Sequence, residues 1–146
     1  MATPSIFTSK ISLEDLNQKL THEQLAGHLG FKFNAITETS VSCQVTIGKI
    51  HARPGGIMSG GTTLAMIETL ASVAGMMTID LKTQNIFGIE VNANHVLQVP
   101  IGETLIGTAT PDHLGRTTQI WQVRILNSKQ KLVCVGRITL FIAPRN

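Results

Sequence analysis

The sequence has no tyrosine, one tryptophan and two cysteines, and only 14% of its 146 residues are charged. Each scarcity excludes something. Cys43 and Cys134 form no C-x-x-C pair and lie in apolar alternating segments, so they read as buried free thiols in a reducing compartment. The five histidines are scattered and no second cysteine lies close by, so no metal site has ligand spacing. The net charge is only +3, and Arg53, Arg116, Arg124, Lys129, Lys131 and Arg137 form no block. That argues against a nucleic-acid tail. A small anionic ligand such as a phosphorylated cofactor fits the excess, and so does a balance that serves solubility alone. MATPSIFTSK lacks the apolar run of a signal peptide. Residues 57–79 are long enough to span a bilayer, but Glu68 near their centre would cost roughly 2.5–3.5 kcal/mol there. A soluble cytoplasmic protein is expected, with no membrane and no nucleic-acid partner.

What is present is apolar: 42% of the residues are hydrophobic. With so few charges, part of the surface is expected to be covered, most simply by another copy of the chain. The length suits one domain over residues 1–146, with a helical segment over residues 1–30 inside it. Ser12 and Asp15 have capping-box spacing for a first helix. Thr21 is placed to cap a second, and Gly30 to stop it. Val41, Cys43, Val45 and Ile47 alternate with polar residues, as in the second arm of a hairpin. HARPGG then makes a loop. Residues 60–79 keep helical spacing but are apolar nearly all round, which predicts a buried helix. Strands follow at roughly 86–99, 103–110, 117–126 and 132–142. One long helix plus consecutive strands predicts an α+β fold with an antiparallel sheet.

Glu68 is the one charge in the stretch GGIMSGGTTLAMIETLASVAGMMTI. On a helix, Leu64, Glu68 and Ser72 form one row, and Ala65, Ala71 and Gly75 leave room beside it. A carboxylate kept from water and from partners favours its neutral form, the setting of a general base or nucleophile. An exposed surface glutamate, or one paired with an arginine, is the competing interpretation. SGG at 59–61 opens the same helix, where free N–H groups attract developing negative charge. Glu68 lies about 12 Å along from that end at 1.5 Å per residue. The two ends therefore share a substrate only by an oblique approach or across two subunits. His95 falls among Phe87, Ile89, Val91, Ala93, Leu97 and Val99, so it is expected on the buried face of a long strand. There it is either a satisfied core histidine or a partner for Glu68.

Other motifs fail. GGIMSGGT has the glycine spacing of a phosphate loop, but Gly61 occupies the lysine position. IMSGG lacks the first glycine of a nucleophile elbow.

The array G-I-M-S-G-G-x7-E-x3-S, from Gly56 to Ser72, resembles the hotdog-fold acyl-CoA thioesterases. It is closest to the subgroup with the glutamate on the central helix, which includes 4-hydroxybenzoyl-CoA and phenylacetate-pathway thioesterases. GIEVNANHV, HLGRTT and LVCVGRITLFI extend the similarity over roughly residues 25–142. The resemblance implies an antiparallel sheet wrapped around a long central helix. It implies a homodimer as the smallest active unit, usually assembled to a homotetramer, and no cofactor beyond the CoA of the substrate. The Gly60 N–H would polarise the thioester carbonyl. Glu68 from the partner would be base or nucleophile, and Ser72 would position water or Glu68. Ser59, Gly61, Arg53 and His95 would line the substrate, with Arg116 near a CoA phosphate. Two positions depart from the family: Ser59 stands where a histidine is common, and Arg53 where a glutamine is.

Hydrolysis of an acyl-CoA or acyl-carrier-protein thioester is the resulting expectation. A non-catalytic acyl-CoA-binding or regulatory module is the alternative, and a hydratase is disfavoured because the helix carries no Asp-His pair. The absence of tyrosine tilts the acyl group toward aliphatic chains.

Overall fold

A computed structural model describes residues 4–146; the first three residues of the expected N-terminal segment lie outside the described residues. Helix α1 runs Leu13–Gln18 behind the expected capping box, with the Ser12 hydroxyl and the Asp15 carboxylate satisfying each other's backbone N–H groups. Helix α2 is shorter than its pattern suggests, Leu25–His28. Gln24, not Thr21, precedes it, because the Gln24 N–H donates to the Thr21 carbonyl and spends those residues on a turn. Gly30 stops it at φ 71°.

Strands β1 (Lys32–Ile36) and β2 (Val41–Thr46) form the expected hairpin. The HARPGG region is more ordered than a plain loop. A 3-10 turn at Lys49–His51 leads into β3 (Ala52–Arg53), which pairs with β4 (Ile57–Met58). His51 is buried and pins this segment. Its Nδ1 accepts from the Gly48 N–H at 2.8 Å, so its Nε2–H donates to the Leu29 carbonyl at 2.7 Å. Its own carbonyl receives the Ser59 N–H at 2.7 Å, which fixes the chain just before the long helix.

Helix α3 spans Gly60–Met76. After it come β5 (Gln84–His95), β6 (Thr104–Leu114), β7 (Thr118–Asn127) and β8 (Leu132–Pro144). The six long strands form one antiparallel sheet in the order β1-β2-β6-β7-β8-β5. Met66, Ile67, Leu70, Ala71 and Ala74 of α3 pack fully buried against Val123, Ile138 and Leu140 of the sheet. This is the α+β arrangement that the consecutive strands predict. Both cysteines are free and fully buried, as expected. Beyond the end of α3, Trp121 donates to Gln119 and Gln119 to Thr78, so the buried polar groups there are paired. No described helix is long and apolar enough to cross a membrane.

The fifth strand departs from its sequence pattern. Alternation places Phe87, Ile89, Val91, Ala93 and His95 on one buried face. Instead β5 is an edge strand, paired only with β8, and Phe87, Ile89 and Val91 are exposed in the protomer. The register shifts between Gly88 and Glu90, a β-bulge that reverses the alternation. Directly opposed residues share a face. Gly88 faces the inner Leu140, and Val91, Ala93 and His95 face Ile138, Gly136 and Cys134, whereas Phe87 faces the exposed Phe141. The expectation of a uniformly buried odd-numbered face is therefore wrong. His95 points inward but stands at an open edge, and it is classed as exposed.

Candidate active site

The site is assembled around the first turn of α3. Gly60 and Gly61 are its first two residues, so their N–H groups have no intrahelical acceptor. Ser59 occupies the cap position with φ −73° and ψ 138°, but its side chain makes no capping hydrogen bond. The N-terminal donors are left available to a ligand carrying negative charge.

His95 lies against Gly60. A Cβ at that position would meet the imidazole at 3.0 Å from Cε1 and 3.2 Å from Nε2, so any larger residue would crowd the ring. The His95 ring is held by Thr63, whose hydroxyl lies 2.6 Å from Nε2. That hydroxyl also donates to the Gly60 carbonyl at 2.9 Å. One hydroxyl carries one proton, so it accepts from His95 Nε2–H and leaves Nδ1 free. Cys134 stands opposite His95 across the ladder. Burial pushes its thiol pKa up, while the neighbouring Thr63 side chain and Asn94 backbone act in the opposite direction.

Two recesses flank this turn. One has a volume of about 350 Å³ and is lined by Arg53, Met58, Gly60, His95 and Gln98 among others. Three of the expected substrate-contacting residues thus meet in one cavity. The other, of about 300 Å³, is lined by Leu25, Leu29, Ile50, Ser59, Gly61 and Ala65, with the hydrogen-bonded His51 and Thr62. It carries no charged side chain and is the more apolar of the two. Ser59 and Gly61 belong to this second side.

Glu68 and Ser72 sit two and three turns further along α3. The chain does not itself enclose Glu68: this residue is exposed, Ser72 is half-buried, and Leu64 before them is half-buried too. The carboxylate lies against Gly88 of β5. Arg116 is elsewhere, in the β6–β7 turn beside Thr83, Gln84 and Ile142. Within one protomer it joins neither Gly60 nor Glu68. The sequence reading missed Thr63, His51 and Gly88. Thr63 carried a signal, being one turn after the first glycine of the helix. So did Gly88, since a glycine inside a strand marks a bulge or a close approach.

Comparison with known proteins gives the family of the chain. Residues 55–134 match the thioesterase superfamily, a span that contains the helix start, Glu68, the edge strand and Cys134. The chain is 32% identical over 137 residues to 1,4-dihydroxy-2-naphthoyl-CoA hydrolase of Escherichia coli, covering 94% of this chain and 98% of that one. A thioesterase from Haemophilus influenzae superposes with a TM-score of 0.90 at 32% identity, covering 95% of each chain. A mutant thioesterase from Pseudomonas aeruginosa gives 0.92 at 29% identity, covering 97% of this chain and 100% of that one. The chain belongs to the thioesterase superfamily, and its fold is the hotdog thioesterase fold.

Proposed function

We propose that the protein hydrolyses an acyl-CoA thioester, with Glu68 as general base or nucleophile and the Gly60 N–H as donor to the carbonyl oxygen. One observation carries the reading. The two groups rest at different points of one edge strand whose outer side is open, Glu68 on Gly88 and Gly60 on His95. They are too far apart to act together in one protomer. A long exposed edge strand invites pairing. If two copies of β5 pair antiparallel about Asn92, with Ile89 bulged out of the ladder, Gly88 of one faces His95 of the partner subunit. Glu68 then faces Gly60 of the partner subunit, and Phe87, Ile89 and Val91 are covered. The same pairing carries Gln84, and with it Arg116, toward the partner's polar cavity, where a CoA phosphate would attract a guanidinium.

In this arrangement the thioester carbonyl lies at the helix start, its oxygen toward N–H groups that strengthen as negative charge develops. Glu68 either activates water or attacks the carbonyl carbon itself, and Ser72, one turn on, orients it. Where Glu68 takes the proton of the attacking water, the carbonyl carbon–sulfur bond breaks and that proton passes to the sulfur; where Glu68 attacks, the bond breaks to leave a mixed anhydride, which water hydrolyses to the acid while its proton passes to the sulfur. The thiol leaves along the cavity lined by Arg53 and His95. The acyl group occupies the apolar recess of Leu25, Leu29 and Ile50. A homodimer is the smallest active unit and a homotetramer the expected assembly, working in the cytoplasm without a cofactor.

The test is a panel of aliphatic and aromatic acyl-CoAs and one acyl-carrier protein, with thiol release followed colorimetrically. Glu68→Ala is expected to lose roughly 10²–10⁴-fold in kcat, the range for a positioned proton-transfer group, while remaining folded and assembled. Full activity in that variant would remove the mechanism. Ser59 favours a second reading, a binding module without turnover, because a hydroxyl cannot carry a proton near neutral pH as an imidazole does. Tight binding with no thiol release across the whole panel would establish that alternative.

A further inference from the structure

Glu68 stands on the open side of α3, yet one element limits where its carboxylate can go. A Cβ built on Gly88 would lie 2.5 Å from Oε1 and 3.3 Å from both Oε2 and Cδ. Gly88 is not among the residues with positive φ, so its backbone does not require glycine. What glycine supplies here is space. The bulge at Ile89 supplies the rest. Counting back from the inward-facing His95, Ala93 and Val91, an unbulged strand would turn Ile89 inward. The register shift between Gly88 and Glu90 throws Ile89 out to 61% exposure and sets Gly88 beneath the helix instead.

The geometry points to Gly88, together with the bulge that turns it inward, as a positioning seat for the Glu68 carboxylate. The inference rests on the thioesterase reading and adds a residue to it that touches no substrate. A methyl group at Gly88 would drive Oε1 away by about 0.9 Å to reach ordinary contact at 3.4 Å. The obstacle is the tip of a flexible side chain, so the fold loses little when it swings aside. The chemistry loses much, because a displacement on the order of 1 Å costs about 10²-fold in rate.

Gly88→Ala is expected to lower kcat about 10²-fold while KM, the affinity for a non-hydrolysable thioether analogue of the acyl-CoA, the unfolding temperature and the oligomeric state stay as they were. Glu68→Asp supplies the discriminating arm. It shortens the side chain by one methylene and clears the added methyl. The double variant is therefore expected to exceed Gly88→Ala alone in kcat, although Glu68→Asp slows the unaltered protein. Losses that simply multiply would overturn the seat. Should Gly88→Ala destabilise the protein, the same change is made on Glu68→Ala. With the carboxylate gone the methyl meets no obstacle, and the double variant is expected to unfold at the temperature of Glu68→Ala. Continued destabilisation would show that the glycine serves the strand alone and would overturn the inference. The two readings fail separately. An active Glu68→Ala protein ends the catalytic role of the glutamate and the seat with it. An inactive Glu68→Ala beside a fully active Gly88→Ala ends only the seat.

Discussion

Replacing Thr63 with valine tests the hydrogen-bonded centre of the site. Valine keeps the shape of threonine and removes only the hydroxyl. Two hydrogen bonds disappear, one to the Gly60 carbonyl at 2.9 Å and one with His95 Nε2 at 2.6 Å. The Gly60 carbonyl keeps its helical partner, so the first loss is that of an ordinary bond, about 1 kcal/mol. His95 lies at an edge that water reaches, so its Nε2–H is partly repaired by solvent, and the second loss is also about 1 kcal/mol. The total of about 2 kcal/mol corresponds to a fall in unfolding temperature of roughly 4–8 °C for a chain of this size. Activity should fall further than stability implies, because His95 is no longer held against Gly60 beside the proposed carbonyl site. Thr63→Ser, which keeps the hydroxyl, should restore most of both. The measurements are thermal unfolding by circular dichroism and kcat on the best substrate of the panel. A valine variant with unchanged unfolding temperature and unchanged kcat would refute the assignment of Thr63 as the anchor of His95.

Two further outcomes follow from the edge strand and the thiols. Ile89→Lys puts an ammonium on the exposed edge, where burial without a partner costs several kcal/mol; it should weaken association by on the order of 10²-fold and reduce hydrolysis in step, read by sedimentation and by the concentration dependence of activity. Cys43 and Cys134 are fully buried, and burial pushes the Cys43 thiol up to about 12, so neither should react with a thiol reagent at neutral pH until denaturant is added, and thiol release from CoA can be followed without background. The same shift gives stability a sign with pH: above the unfolded thiol value of about 8.5 the folded state binds more protons, so stability should fall as pH rises from there toward 12. Cys43→Ala should flatten that limb in alkaline unfolding curves.

The long helix and the consecutive strands were legible because their patterns are local. Leu70, Ala71 and Ala74 repeat at helical spacing, and Val41, Cys43 and Val45 alternate, whatever the rest of the chain does. The capping box at Ser12 was legible for the same reason, since both of its groups lie within four residues. The fifth strand was not. Its alternation runs through Gly88–Glu90, and a bulge is decided by what packs on either side, here Glu68 from above and β8 from one edge. Thr21 failed as a cap because the Gln24 N–H donates to the Thr21 carbonyl and the helix begins only after Gln24. His51 was passed over because a lone histidine in a loop has no periodic neighbours, yet its ring ties Gly48 to Leu29.

The chemistry-bearing residues were legible as types and not as a site. Gly60 and Glu68 stand out in the sequence, but their relation depends on an edge that one chain leaves open. A monomeric enzyme must bury its carboxylate by folding another segment over it. This chain leaves Glu68 exposed and also leaves one edge of a strand of twelve residues open beside it. In the proposed pairing, closing the edge and enclosing the carboxylate are one event, so the exposure of Glu68 in a single chain is what an interfacial site requires. Arg116 follows the same logic: remote from the helix start in its own protomer, it lies beside the end of β5 that an antiparallel pairing carries to the partner's cavity. Assembly in this scheme does more than stabilise the fold, because the catalytic group and its carbonyl donors meet only when two strands pair in one register. A slip of two residues along β5 would preserve the faces of the strand yet move the carboxylate by about 7 Å relative to the donors, far more than the chemistry tolerates.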